Sequence, residues 1–192
     1  MTGIVACGAW IPARRLPLPL LAVEAARDCL RGRDRGAIDL LLFASTTGPF
    51  AEKQGAAIIA AALALAPGVR TVDVGSSLRG GTQALLLALD AVRAGSARSA
   101  LVLVADCREG VPGSALEANG GDAATAFLVG TGATLVELLD SASESSEIVD
   151  VWRRHGADAR DGHRADPRRA EGARGGVEEL RARVLLAEIE MG

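Results

Sequence analysis

Two short runs of nearly uninterrupted apolar residues constrain the fold of this 192-residue chain more than any other feature. Residues 38–44 read IDLLLFA, residues 100–105 read ALVLVA, and both runs are bounded by polar residues. A strand that is apolar on both faces is typical of the centre of a parallel sheet that helices cover on both sides. The two runs therefore predict an α/β fold with a buried central sheet.

Strand and helix patterns alternate through the first 140 residues. The other predicted strands are 3–8, 69–74 and 123–129, and the predicted helices are 20–30, 52–66 and 82–94, each ending at or near a glycine or proline. Residues 133–138 are expected to pair with strand 123–129 as a hairpin. The sum is a five-stranded mixed sheet in βαβαβαββ order, with helices on both faces and right-handed crossovers.

The character of the sequence changes after residue 140. Residues 141–176 are rich in Ser, Glu, Arg, Asp and Gly, so we expect a polar linker that is exposed or disordered. Residues 177–192 regain a helical pattern with one apolar face, too short to be stable alone and therefore expected to dock. The chain is thus predicted to comprise a domain at 1–140, a linker and an amphipathic C-terminal helix.

Composition argues against several classes of protein. A net charge of −3 gives no electrostatic reason to expect nucleic acid or an anionic membrane as partner. Cys7, Cys29 and Cys107 are odd in number and widely spaced, which fits neither a disulfide framework nor a zinc site. His155 and His163 lie in a glycine-containing polar segment and make a poor metal pair. With no signal peptide or membrane-spanning run, a soluble cytoplasmic protein is expected.

The predicted helix 82–94 is apolar nearly all round. Only Gln83, Asp90 and Arg93 are left for water. A helix that is hydrophobic on every side is buried on every side, but one sheet covers only one of its faces. Residues 141–192 offer little apolar material for a second layer, so we predict that a second chain, identical or not, covers this helix.

Four stretches of the sequence carry a resemblance to a known family. They are GIVACGAWIP at 3–12, IDLLLFASTTGPFAEKQGAAIIAAAL at 38–63, VDVGSSLRGGTQALLLALDAV at 72–92 and ADCREGVPGSALEANGGDAATAFLVG at 105–130. In order and spacing they resemble hydroxymethylglutaryl-CoA synthases and ketoacyl synthase III-like proteins of the thiolase superfamily. The resemblance covers residues 3–140 and implies the N-terminal one of the two similar halves that build the thiolase fold.

The resemblance also implies a chemistry, whose central residue is missing. The family uses a cysteine thiolate at a helix N-terminus, where N–H groups and the helix dipole lower its pKa, to take an acyl group from CoA. That cysteine stands four residues before the Thr of a Gly-Gly-Thr or Ala-Gly-Thr run. The run here is Gly80-Gly81-Thr82, so the position is Leu78, and leucine cannot act as a nucleophile.

Other catalytic groups of the family are also missing. The connection 12–20 is too short to hold the segment with the general-acid Glu and contains no carboxylate. The family's catalytic His and Asn belong to the C-terminal half, which we do not expect in this chain. The absence of these groups, like the leucine at position 78, predicts that the chain does not perform the family's chemistry.

Several residues near this turn are candidates for function. Ser76 and Ser77 could replace the nucleophile but lack a nearby base, and a role in capping the next helix is the alternative. By resemblance, Gly75, Arg79, Gly80, Gly81 and Thr82 would contact acyl-CoA. Backbone N–H groups of the glycines could cradle a phosphate or a pantetheine carbonyl, although tight-turn geometry explains the glycines as well.

Two further residues lie in the long loop after strand 100–105. Cys107, flanked by Asp106 and Arg108, could be a reactive thiol, but it lies outside the acyl-transfer position. Asp122 is interpreted as a structural residue that braces the loop.

Two hypotheses follow. The first is a non-catalytic thiolase-fold half-domain, without a resident cofactor, that serves as interaction partner or scaffold of an acyl-CoA condensing system. It would form a homodimer or a hetero-complex with a thiolase-like or OB-fold protein. The alternative is an acyltransferase of the condensing-enzyme type that acts on acyl-CoA as a homodimer. Leu78 favours the first hypothesis.

Overall fold

The computed structural model describes residues 1–50, 52–75, 77–110 and 112–143. They form one compact unit, Met1–Ser141, followed by two further residues. The predicted linker beyond residue 143 and the predicted helix 177–192 lie outside the described residues.

Strands and helices alternate as the sequence predicts, except that the predicted loop between the last two strands contains a short helix. In chain order they are β1 (Thr2–Trp10), α1 (Leu18–Cys29), β2 (Leu40–Ser45), α2 (Gly55–Ala62), β3 (Arg70–Gly75), α3 (Gly80–Arg93), β4 (Ala100–Asp106), α4 (Ala115–Asn119) and β5 (Ala123–Thr131). Among these described helices, none has the length and apolar character needed to cross a membrane.

The five strands form one mixed sheet in the order β1-β5-β4-β2-β3. β2 runs parallel to both β3 and β4, whereas β5 runs antiparallel to its neighbours β1 and β4. The predicted α/β class and five-stranded mixed sheet are therefore confirmed.

The predicted hairpin between 123–129 and 133–138 is wrong. Both edges of β5 are already occupied by β1 and β4, so no edge is left for the following segment. Instead, Val136 forms an isolated antiparallel bridge with Ile4 of β1, and the N–H of Ile4 donates to the carbonyl of Val136 at 2.9 Å.

Helices lie on both faces of the sheet and divide the core in two. One cluster packs α1 and α2 on the sheet, and its fully buried side chains include Leu21, Leu41, Ile59, Leu101 and Leu103. The other packs α3 on the opposite face, through Leu42, Ala84, Leu89, Val102 and Val129. The apolar runs 38–44 and 100–105 contribute to both clusters, as a central strand should.

Helix α2 is shorter than the predicted 52–66. The carboxylate of Asp73 on β3 accepts from the N–H of Gly55 and from the N–H of Ala56, each at 2.7 Å, and so fixes the start of the helix. At the other end, Ala64 adopts a positive φ of 52°, and the helix ends before it. The N-cap residue Gln54 makes no side-chain capping bond, and no glycine lies at the end of the helix, so the local sequence marks these bounds only weakly.

Candidate functional site

The candidate residues lie at the carboxyl edge of the sheet, where β3 ends at Gly75 and α3 begins at Gly80. Ser77 and Leu78 lie between them, and Ser76 is outside the described residues. Parallel strands bring their carboxyl ends to one edge, so the ends of β2 and β4 lie beside this turn.

Leu78 occupies the position that the resemblance assigns to the nucleophile. Its side chain is 80% exposed, just ahead of the first turn of α3. Arg79 is the N-cap residue, and Thr82 lies exposed in the first turn. The helix N-terminus that would lower the pKa of a thiol is present, but the residue that precedes it has a hydrocarbon side chain with no group to ionise.

Gly80 and Gly81 allow α3 to approach the sheet. A Cβ on Gly80 would lie 3.3 Å from the carbonyl oxygen of Val74, and one on Gly81 would lie 3.1 Å from Cγ2 of Val104. Neither glycine, nor Gly75, is among the residues with positive φ. Close packing against β3 and β4, and not an unusual turn conformation, therefore accounts for Gly80 and Gly81.

Ser77 closes the turn that precedes α3. Its Oγ accepts from the N–H of Arg79 at 3.1 Å, and its carbonyl accepts from the N–H of Gly80 at 3.0 Å. Ser77 thus satisfies donors just ahead of the helix, while Arg79 holds the N-cap position. Both histidines of the sequence, His155 and His163, lie outside the described residues.

A hydrogen-bonded network that our sequence reasoning did not predict lies at the same edge. Oδ1 of Asp106, the last residue of β4, contacts the side-chain oxygens of Ser45, Thr46 and Thr47 at 3.0 to 3.1 Å. It also accepts from the N–H of Thr46 at 2.7 Å and from that of Thr47 at 3.1 Å. The available signal was that Asp106 and Ser-Thr-Thr each follow directly on an apolar run.

Arg15 lies in the segment between β1 and α1 and links this segment to the loop after β4. Its guanidinium donates to Asp122 at 2.9 Å, to Glu109 at 3.1 Å and to the carbonyl of Arg108 at 3.1 Å. The side chain of Asp122 is buried, whereas those of Arg15 and Glu109 are exposed. Asp122 therefore braces this loop through Arg15.

Cys107 is half-buried behind the network. Its N–H donates to Oγ1 of Thr47 at 2.9 Å, and its thiol lies 3.7 Å from the carbonyl of Leu16. Burial, and then the negative charge of Asp122, raise the pKa of the Cys107 thiol, and Arg15 offsets this only in part. The thiol is therefore protonated at neutral pH, which argues against a nucleophilic role.

One side of α3 is left open by the described residues. Ala84, Ala88, Leu89 and Val92 are buried against the sheet, but Leu87 is 51% exposed and Asp90 is exposed beside it. β3, the strand at the sheet edge on this side, exposes Val72. The expectation that the sheet covers only one face of α3 agrees with this arrangement.

No family model matches the chain. Among proteins of known function, it is 34% identical over 139 residues to a hydroxymethylglutaryl-CoA synthase of Methanocella arvoryzae. It is 36% identical over 138 residues to the corresponding enzyme of Thermococcus onnurineus. These alignments cover 72% and 70% of this chain but only 40% and 39% of the two relatives, so the chain spans about two fifths of their length.

Solved structures show the same fold. A hydroxymethylglutaryl-CoA synthase complexed with CoA superposes with a TM-score of 0.73 at 20% identity, covering 81% of this chain and 49% of that one. A 3-oxoacyl-(acyl-carrier-protein) synthase III gives a TM-score of 0.64 at 20% identity, covering 71% of this chain and 52% of the other. The described part of this chain is therefore a half-domain of the thiolase superfamily, related to the hydroxymethylglutaryl-CoA synthases.

Proposed function

We propose that this chain is a non-catalytic thiolase-fold half-domain that acts as interaction partner or scaffold in an acyl-CoA condensing system. The observation that carries the proposal is Leu78, an exposed apolar residue where the resemblance requires a cysteine. The helix start around Gly80 and the glycines that seat it on the sheet are retained. A site with an intact frame and no nucleophile is suited to binding rather than to acyl transfer.

The partner is a second chain that covers α3. Leu87 on α3 and Val72 on β3 are both exposed, and burial of these apolar side chains under a second chain would be favourable. A second copy of this chain, or a thiolase-like or OB-fold protein, would supply the cover.

Acyl transfer is the alternative function. The relatives are named as hydroxymethylglutaryl-CoA synthases, and this favours a condensing-enzyme class for any activity that the chain has. Such an activity would have to use a residue other than Leu78, and the chain would act as a homodimer on acyl-CoA.

Intact-mass spectrometry after incubation with acetyl-CoA separates the two functions. We expect no acetyl adduct on the wild-type protein and a slow adduct on Leu78→Cys, because a thiol there meets the N-terminus of α3. Leu139→Cys is the matched control, since Leu139 is 88% exposed but lies far from this helix start in sequence. Peptide mapping distinguishes these sites from Cys7, which is exposed in the native chain.

The outcomes decide between the proposals. An adduct on the wild-type protein that turns over would establish acyl transfer and overturn the non-catalytic function. An adduct on Leu78→Cys that forms no faster than on Leu139→Cys would show that the frame around α3 no longer serves an acyl-CoA site.

A further inference from the structure

One carboxylate organises the loop that lies beside the start of α3. Five donor groups of residues 45–47 lie within 3.1 Å of Oδ1 of Asp106, two of them backbone N–H groups. The residues are about 60 positions apart in sequence, so the contact exists only in the folded sheet. A carboxylate that accepts several bonds from one turn fixes the conformation of that turn.

The network extends to the charged loop after β4. Oγ1 of Thr47 accepts from the N–H of Cys107 at 2.9 Å, and the guanidinium of Arg108 donates to Oγ1 of Thr46 at 3.2 Å. The carbonyl of Arg108 in turn accepts from Arg15 at 3.1 Å. Loop 45–47 is therefore held on its β4 side by both side chains and backbone.

Loop 45–47 also has a fixed relation to α3. It follows Ala44, whose Cβ lies 3.8 Å from the position that a Cβ on Gly80 would take. Val104, two residues before Asp106, is the residue against which Gly81 packs. Asp106 thus sets the position of this loop relative to the helix start at which Leu78 stands.

The same two strands carry a second carboxylate at their other ends. Asp39 precedes β2 and accepts from the N–H of Arg98, just ahead of β4, at 3.1 Å, and from the N–H of Ser99 at 3.4 Å. Asp39 and Asp106 therefore both join β2 to β4, but only Asp106 does so at the edge where α3 begins. Variants of Asp39 and Asp106 can therefore distinguish an effect on the stability of the sheet from an effect on the organisation of the site.

We propose that Asp106 is a positioning residue for the acyl-CoA site, which holds loop 45–47 as the wall beside the start of α3. This inference rests on the proposed function, since it takes acyl-CoA as the ligand. Asp106 acts through Thr46 and Thr47 and takes no part in any chemical step.

Isothermal titration calorimetry with acetyl-CoA, together with thermal unfolding, tests this role. We expect Asp106→Asn to weaken acetyl-CoA binding at least tenfold, because all the bonds that hold the loop meet at Oδ1 and a neutral amide oxygen accepts hydrogen bonds more weakly than a carboxylate oxygen. Asp39→Asn is expected to lower the melting temperature by a similar amount but to leave the affinity unchanged.

Thr47 provides a second pair of variants in case Asp106→Asn does not fold. Thr47→Val removes the hydroxyl that joins Asp106 to the N–H of Cys107, whereas Thr47→Ser keeps it. We expect weaker binding for the valine variant and wild-type binding for the serine variant.

Two results would overturn the inference, and they are distinguishable. If the wild-type protein binds acetyl-CoA and Asp106→Asn or Thr47→Val binds equally well, Asp106 has no positioning role but the ligand site stands. If the wild-type protein shows no binding, the acyl-CoA site and this role for Asp106 fail together. Equal loss of affinity in Asp39→Asn would also contradict the inference.

Discussion

At the residue scale, Gly8 determines how closely α1 packs on β1. A Cβ at this position would collide with the backbone nitrogen of Cys29 and would lie 2.7 Å from the carbonyl oxygen of Ala25. Backbone atoms of a helix cannot move aside as a flexible side chain can. Gly8 is therefore required by the space between the two elements, and not by a special φ value.

We predict that Gly8→Ala lowers the free energy of unfolding by about 3 kcal/mol, the upper range for overpacking, because the whole helix must shift. Urea denaturation measures this change. Gly68→Ala is the control, since nothing lies within 4 Å of the Cβ that it would add, and its effect should stay within about 0.5 kcal/mol. Equal effects of the two substitutions would refute the packing argument.

The sequence was informative about Leu78 and uninformative about the role of Asp106. Leu78 could be placed because its neighbours Gly80, Gly81 and Thr82 form a local motif of the resembled family. Asp106 contacts residues about 60 positions away, whereas in the local sequence it is only a charge beside Cys107. Local patterns cannot show a contact that depends on two strands becoming neighbours.

At the scale of elements, β2 and β4 are joined at their amino ends by Asp39. Burial alone would raise the pKa of this carboxyl, but hydrogen bonds from the N–H and guanidinium of Arg98 and from the N–H of Ser99 lower it overall. A carboxyl whose pKa is lower in the folded state stabilises the protein above its unfolded pKa, and loses this effect as the pH falls through its folded pKa.

We therefore predict that the difference in unfolding free energy between the wild-type protein and Asp39→Asn is largest at neutral pH. It should shrink as the pH falls below about 3.8, the ordinary value for this group. Urea titrations from pH 7 to pH 3 would follow it. A difference for Asp39→Asn that stays constant from pH 7 to pH 3 would contradict the linkage.

Strand existence was predictable, whereas pairing was not. The apolar composition of residues 38–44 and 100–105 was enough to predict β2 and β4. The position of β5 between β1 and β4 left residues 133–138 without the partner that proximity in sequence suggested. A short connection favours a hairpin, but no hairpin can form when both edges of the earlier strand are already paired with other strands.

At the scale of the whole molecule, the open side of α3 leaves Leu87 exposed to solvent. We predict that Leu87→Gln weakens self-association or partner binding while the monomer stays folded, because Leu87 is already 51% exposed. Leu20→Gln is the control, since Leu20 on α1 is 47% exposed but lies on the opposite face of the sheet.

Light scattering coupled to size exclusion measures the molar mass of each variant. We expect the wild-type protein to form a discrete dimer, Leu20→Gln to match it, and Leu87→Gln to shift toward monomer. A stable, well-folded wild-type monomer would falsify the claim that a second chain covers α3.

The sheet order also has a consequence for how the half-domain is made. β1 obtains its sheet neighbour only when β5, more than 100 residues later, has been synthesised. Until then β1 and β4 both present unpaired edges, which are templates for wrong pairing. Contacts between such distant parts of a chain form slowly. β2, β3 and β4 can therefore pair with one another before the sheet is complete, whereas β1 joins the sheet only through β5.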